Sequence, residues 1–174
     1  MDRAQSHPQA EPLSAHRLFC TSDIDLARHG VAGKFCAHDL TPGAGHHDFA
    51  VRHNHAPGQS LSLNFLSYGS EVVIDPGELT DFYLLQIPLR GHAEVTTGRR
   101  EVAADPGCAS LLNPTRSTRM IWHQGCEKLL LQIDRGALHH LAESLLAQPL
   151  PQPVIFDPEV RLDSPVLQGW LREF

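Results

Sequence analysis

Twelve histidines among 174 residues are the side chains most able to do chemistry in this chain. Their most suggestive arrangement is His53-Asn54-His55, a His-x-His pair of the kind that can ligate a metal ion. Zinc or iron needs three or more nitrogen, oxygen or sulfur donors converging on one point. This pair supplies only two, and Gln59 stands where an acidic partner is wanted. His53 and His55 are therefore expected at the surface or in a loop, and the doublets His46-His47 and His139-His140 facing solvent. Nucleophiles are no better placed. The sequence has no GxSxG, Cys108 follows a Pro-Gly turn inside an apolar run, and Cys126 follows Gly125. A thiol buried among apolar side chains is inert. The glycines are spaced as turns and form no phosphate loop. Asp75, Glu78 and Asp105 sit where turns or caps want them, so no carboxylate pair stands out. No catalytic residue, metal or cofactor is expected.

The elements that must position any site are short strands. From Asp81 to Pro114 the chain reads as four strand-length runs, Phe82–Leu89, His92–Thr97, Arg99–Ala104 and Cys108–Leu112. They are parted by Arg90-Gly91, Gly98 and Asp105-Pro106-Gly107, which predicts an antiparallel meander. Pro88 makes the first of these an edge strand, a bulged one, or one that ends there. Upstream, strands are expected at Asp48–His53, Ser60–Tyr68 and Glu71–Ile74; downstream, at Arg119–His123 and Lys128–Ile133. Ser22 or Asp23 caps a helix ahead of Ile24, and Asp134 caps another over Arg135–Leu146. Pro149–Pro153 reads as a stiff linker. Ser164-Pro165 starts a last helix, Val166–Phe174, with Val166, Leu167, Trp170, Leu171 and Phe174 at helical spacing. That helix has no C-cap, which leads us to expect that the chain is a fragment.

Composition excludes several classes. The chain is long enough for one domain with a real core. Its formal net charge is −6 and no Lys/Arg block stands out, so it is not expected to grip nucleic acid by itself. No apolar run approaches bilayer thickness, and Met1-Asp2-Arg3 leads into polar sequence, without a signal peptide. The four cysteines lack a CxxC pair. Reduced thiols in a cytoplasmic protein follow.

The order strand, Gly, strand, Gly, strand, Pro-Gly, strand, Pro resembles the second half of a cupin barrel. The expected fold is mainly β with flanking helices: a cupin-like β-barrel (double-stranded β-helix) plus C-terminal helices. Counted back from Gly91, the positions that carry ligands in a catalytic cupin hold Glu78-Leu79-Thr80 and Tyr83-Leu84, and Thr115-Arg116-Ser117 follow Pro114. All but Glu78 are poor ligands. The runs Phe19–Asp23, Phe35–Leu40, Leu61–Gly69 and Phe82–Gly91, with Pro106-Gly107 and Asn113-Pro114, are similar to the N-terminal domain of AraC/XylS-type transcription regulators. The resemblance implies a barrel that senses a small molecule, helices that dimerise, and DNA binding by a C-terminal helix-turn-helix domain absent here. Better-known relatives respond to aromatic acids or amine-derived compounds. The domains expected are a flexible tail over 1–16, a ligand-binding barrel over 17–134, and a helical dimerisation or linker segment over 135–174. A stand-alone cupin enzyme, a dioxygenase or isomerase, is the alternative.

A ligand inside the barrel would meet Phe65, Tyr68, Tyr83, Met120 and Trp122. If anionic, it would need a cation from among Arg52, Arg90, Arg116 and Arg119, because a guanidinium grips a carboxylate at two points. Self-association is expected through Leu138, Leu141 and Leu145, with Leu146 beside them, on the Arg135–Leu146 helix. The expected partners are a small-molecule effector and a second copy of the chain, with no membrane.

Overall fold

Asp23 and Asp134 begin two α-helices by the same device. The Asp23 carboxylate accepts the backbone N–H groups of Asp25 and Leu26 at 2.9 Å, and Asp134 accepts that of Ala137 at 2.7 Å. Each satisfies donors that a first helical turn leaves free. In the computed structural model, which describes residues 11–43, 48–165 and 168, these helices are α1, Ile24–Ala32, and α2, Arg135–Leu146. The first ten residues, His46-His47 and nearly all of the expected Val166–Phe174 helix lie outside the described residues.

A 3-10 turn at Ser14–His16 apart, the other elements of the described residues are strands. In chain order these are β1 Arg17–Thr21, β2 Asp39–Pro42, β3 Val51–Ala56, β4 Leu61–Tyr68, β5 Val72–Gly77 and β6 Phe82–Arg90. They are followed by β7 Ala93–Thr97, β8 Arg100–Ala104, β9 Cys108–Leu112, β10 Thr118–Trp122, β11 Glu127–Asp134 and β12 Glu159–Arg161. One sheet runs β1-β3-β4-β11-β6-β9-β12 and the other β2-β5-β10-β7-β8, with every pairing antiparallel. Their inner faces share one apolar core, to which Leu66, Leu84 and Leu130 come from the first sheet and Ile74, Val95 and Trp122 from the second. The architecture is the cupin-like double-stranded β-helix. Its two sheets pair within themselves but not with each other, so it is a sandwich and not a closed barrel.

The meander forms where the breakers place it. Gly91 turns β6 into β7 with φ +68°, and a Cβ there would lie 2.8 Å from the Cys126 Cα. Both the left-handed backbone and the close approach require glycine. Pro88 does not mark an edge, because β6 pairs with β9 and with β11. The β9 pairing stops at Gln86, and the register to β11 slips between Glu127 and Lys128 opposite Pro88. The strand is bulged where the proline cannot donate.

Three strands lie outside the sequence reading. β1 and β2 lie on either side of α1, where no strand is expected, and β12 returns from the linker to pair with β9. The linker is fastened to the sheet on its way. Asn113 donates to Phe156 O and accepts from Phe156 N, both at 2.9 Å, and the Tyr83 hydroxyl donates to Val154 O at 2.7 Å. Glu11, in the expected tail, accepts hydrogen bonds from Arg17, Arg52 and Asn54.

Candidate ligand-binding site

Side chains alternate across a pleated strand, and cross-strand partners share a face. The register pairs Lys128 with Leu66 and Pro88, Leu130 with Asn64 and Gln86, and Gln86 with Ser110. All of these therefore face the second sheet. The same register pairs Leu66 with His53 and Asn64 with His55.

Between the sheets lies a cavity of about 40 Å³. Leu66, Ile74, Leu84, Leu112 and Leu130 give it apolar walls, and Phe35, Cys36, His38 and Pro76 stand half-buried on the α1 side. Three lining residues bring polar atoms that are buried without a hydrogen-bond partner: the Tyr68 hydroxyl, the Trp122 Nε1 and the His38 Nε2. His38 Nδ1 lies 2.9 Å from Cys36 O, so that nitrogen donates and Nε2 is left as an acceptor. Burial holds this imidazole below its ordinary value and pushes the Tyr68 phenol well above its own. Both groups are therefore neutral near pH 7. Each unpaired buried polar atom costs about 1–3 kcal/mol, which a molecule supplying the missing partner would recover.

Behind Gln86 and Trp122 sits Lys128, wholly buried. Its Nζ donates to Gln86 Oε1 at 2.8 Å and lies 4.2 Å from the centroid of the Trp122 ring. Gln86 Nε2 in turn points at the Met120 sulfur, 3.1 Å away, a weak acceptor. Desolvation pushes the Lys128 amine down to about 7. The indole face opposes this by favouring the ammonium. Glu127, the preceding residue, turns to the outer face, where it binds Arg52 and approaches Arg90 at 3.9 Å.

His53 and His55 form a second polar group inside. His53 Nε2 lies 3.0 Å and His55 Nδ1 2.8 Å from the one oxygen Asn64 Oδ1, so both imidazoles donate to it. His53 is fully buried, stacked on Phe35 and edge-on to Phe19. The expectation of surface or loop histidines is thus overturned: β3 runs three residues later than expected, and its odd positions face inward. Among the described residues no three His, Cys, Asp or Glu side chains are grouped to hold a metal ion.

Of the residues expected to line the interior, Tyr68, Met120 and Trp122 do so. Phe65 does not. It lies three positions from Tyr68 on one strand, hence on the opposite face, under the Arg52 guanidinium at 5.6 Å. Tyr83 is also on the outer face, edge-on to Phe156 at 5.6 Å. None of the four arginines faces the cavity. Arg52 is paired with Glu11 and Glu127, Arg90 and Arg119 are exposed, and Arg116 is exposed in the β9–β10 connection. On α2, Leu138 is half-buried, whereas Leu141 and Leu145 are 57% and 77% exposed. Sequence reasoning missed Lys128, Gln86 and His38. Lys128 and Gln86 alternate with outward residues in phase with Leu130 and Leu84, which is the signal that places them inside.

Comparison with known proteins bears on this geometry. The family profile for AraC-binding-like domains matches residues 27–173. The chain is 29% identical over 158 residues to the probable thc operon regulatory protein of Rhodococcus erythropolis, covering 89% of this chain and 48% of that one. It thus spans about half the length of that relative. The crystal structure of the AraC-like transcriptional activator CuxR superposes with a TM-score of 0.58 at 15% identity, covering 76% of this chain and 53% of that chain. The Schizosaccharomyces pombe Cnp3 cupin domain gives a TM-score of 0.44 at 8% identity, over 58% of this chain and 74% of that one.

Proposed function

This chain belongs to the AraC-binding-like domain family, and from that premise we propose that it is the effector-sensing and dimerisation domain of a cytoplasmic AraC-type transcription regulator, with no catalysis of its own. The effector is a small, mostly apolar organic molecule held between the two sheets. DNA binding is assigned to a separate helix-turn-helix domain. One observation carries the reading: an apolar cavity whose Tyr68, Trp122 and His38 present three polar atoms without partners. A few polar groups carried by residues of an otherwise apolar wall are the usual constitution of a small-molecule site. The enzyme alternative gains nothing from the geometry, since Tyr83, at a cupin ligand position, is turned to the outer face.

A thermal-shift screen of small metabolites, followed by calorimetric titration, tests this. Tyr68→Phe is expected to weaken the compounds that bind by about tenfold, the worth of one hydrogen bond to a buried group. A screen without binders, or binders indifferent to both Tyr68→Phe and a cavity-narrowing Leu84→Phe, would overturn it.

Dimerisation through α2 is part of the same proposal. No residue of this helix is fully buried, and Leu141, Leu145 and Leu146 form an exposed apolar stripe. Sedimentation should find a dimer, and Leu141→Glu a monomer with unchanged circular dichroism. If the variant sediments like the wild type, the interface is elsewhere.

A further inference from the structure

Lys128 is a buried amine without a counter-ion. Among the described residues it is the one fully buried Lys or Arg, and no Asp or Glu is buried with it. Gln86 Oε1 is the one hydrogen-bond acceptor it has. A charged group removed from water is costly unless it is paired, and a neutral amide oxygen compensates only part of that.

Resting on the interior site proposed above, we propose that the effector is a small organic monocarboxylate, and that its carboxylate becomes the counter-ion of Lys128 by taking the position now held by Gln86 Oε1. Several features prepare the exchange. Gln86 and Trp122 both line the cavity and both touch the Lys128 amine. Gln86 gives up little on the other side, where its amide N–H meets only the Met120 sulfur. Across β9 from Gln86 stands Ser110, whose hydroxyl is buried without a partner and can accept the displaced amide. Trp122 Nε1 and the Tyr68 hydroxyl, both unpartnered, are further donors for the carboxylate oxygens. An apolar body would fill the space among Leu66, Leu84 and Leu112.

The exchange is coupled to a proton. On the inner side, the titratable groups nearest Lys128 along these strands are the Cys126 thiol just before β11 and the Tyr68 phenol on β4, both pushed up by burial, and the His53 imidazole on β3, pulled down by it, while Glu127 and Arg52 pair with each other on the outer face. The three inner groups are neutral near pH 7, so none supplies the missing charge. The amine stands at about 7, and an arriving carboxylate fixes it as the ammonium. Binding near neutral pH therefore takes up part of a proton.

Matched acid and amide probes test the proposal: benzoate against benzamide, hexanoate against hexanamide, and octanoate against octanamide. Each is titrated calorimetrically into the purified protein in phosphate and in Tris at pH 7. In at least one pair the acid should bind at least tenfold more tightly than its amide, with a heat that differs between the buffers through proton uptake. Lys128→Met should abolish the preference while leaving weak binding of the amide. Amides that bind as well as acids, or an acid preference that survives in Lys128→Met, would overturn the carboxylate assignment. The interior site would still stand in that case if Tyr68→Phe weakened the same probes. Failure of every acid to bind also overturns the assignment, and the interior-site reading is then judged by the metabolite screen alone.

Discussion

Replacing Lys128 with Met is expected to raise the stability of the unliganded protein by about 3 kcal/mol at pH 6, against the common rule that buried substitutions destabilise. The folded-state amine lies at about 7, below its ordinary 10.5. A displacement of that size corresponds to about 5 kcal/mol of destabilisation while the group is charged in both states. The Trp122 face returns about 1–2 kcal/mol of it. Below pH 7 the folded and unfolded chains are both protonated at Lys128, and the full penalty applies. Between about 7 and 10.5 the unfolded chain keeps the proton and the folded chain sheds it, so stability rises with pH. Wild type should gain about 2 kcal/mol from pH 7 to pH 9 on this account. Higher pH turns against the fold, because burial raises the Cys36, Cys126 and Tyr68 values and the unfolded state ionises them first. Urea denaturation of both proteins at pH 6 and pH 9 measures this. Lys128→Met should show a flatter profile across the interval. A variant less stable than wild type at pH 6 would mean that the ammonium is already compensated.

Trp122→Ala should be the costliest substitution at the site, at about 4 kcal/mol. The side chain is 2% exposed, meets Tyr68 edge-on at 5.4 Å, and carries Lys128 on its face. Removing it opens a void and strips the amine of its last favourable neighbour apart from Gln86. The loss should therefore be larger at pH 6, where the ammonium persists, than at pH 9. Trp122→Phe keeps a ring under Nζ and drops only the unpartnered Nε1, so about 1–2 kcal/mol is expected. Combining Trp122→Ala with Lys128→Met should restore more than the two effects added separately, since the residues touch. A Trp122→Ala loss below about 1 kcal/mol would show that the interior tolerates vacancy there.

The breakers made the centre of the fold readable. Gly91, Gly98 and Pro106-Gly107 delimit β6 to β9 almost to the residue, because each is a backbone demand that few side chains meet. β1, β2 and β12 carry no such signal; they are short and recruited by partners that already exist, so their pairing is decided by tertiary contact. The family was legible too, from motif order over most of the chain. The site was legible only in part. Tyr68, Met120 and Trp122 follow from the strand pattern, but Phe65 was grouped with Tyr68 although an odd spacing sends it to the other face. Lys128 went unseen because lysine is rarely interior. Its phase with Leu130 outweighs that expectation, and the arginines expected to meet an anionic ligand do not face the cavity.

The cavity of about 40 Å³ is small beside the several hundred Å³ of ordinary ligand sites. On the proposed reading, an effector of more than a few atoms would fit only after the cavity had widened, and Phe35, Cys36 and His38 are half-buried residues of its lining. The concentration that triggers the domain is then a product of two quantities, the affinity of the widened site and the fraction of molecules already wide. Were that fraction about one in a hundred, the apparent dissociation constant would be about a hundredfold weaker than the contacts alone provide. On the proposed reading, the set point would be adjustable from residues of the α1–β2 segment that do not line the cavity, such as Gly33, Lys34 and Ala37, without altering any atom that touches the effector. Two sensors with identical contact residues can differ in dose by orders of magnitude, and selection on threshold need never disturb selection on specificity.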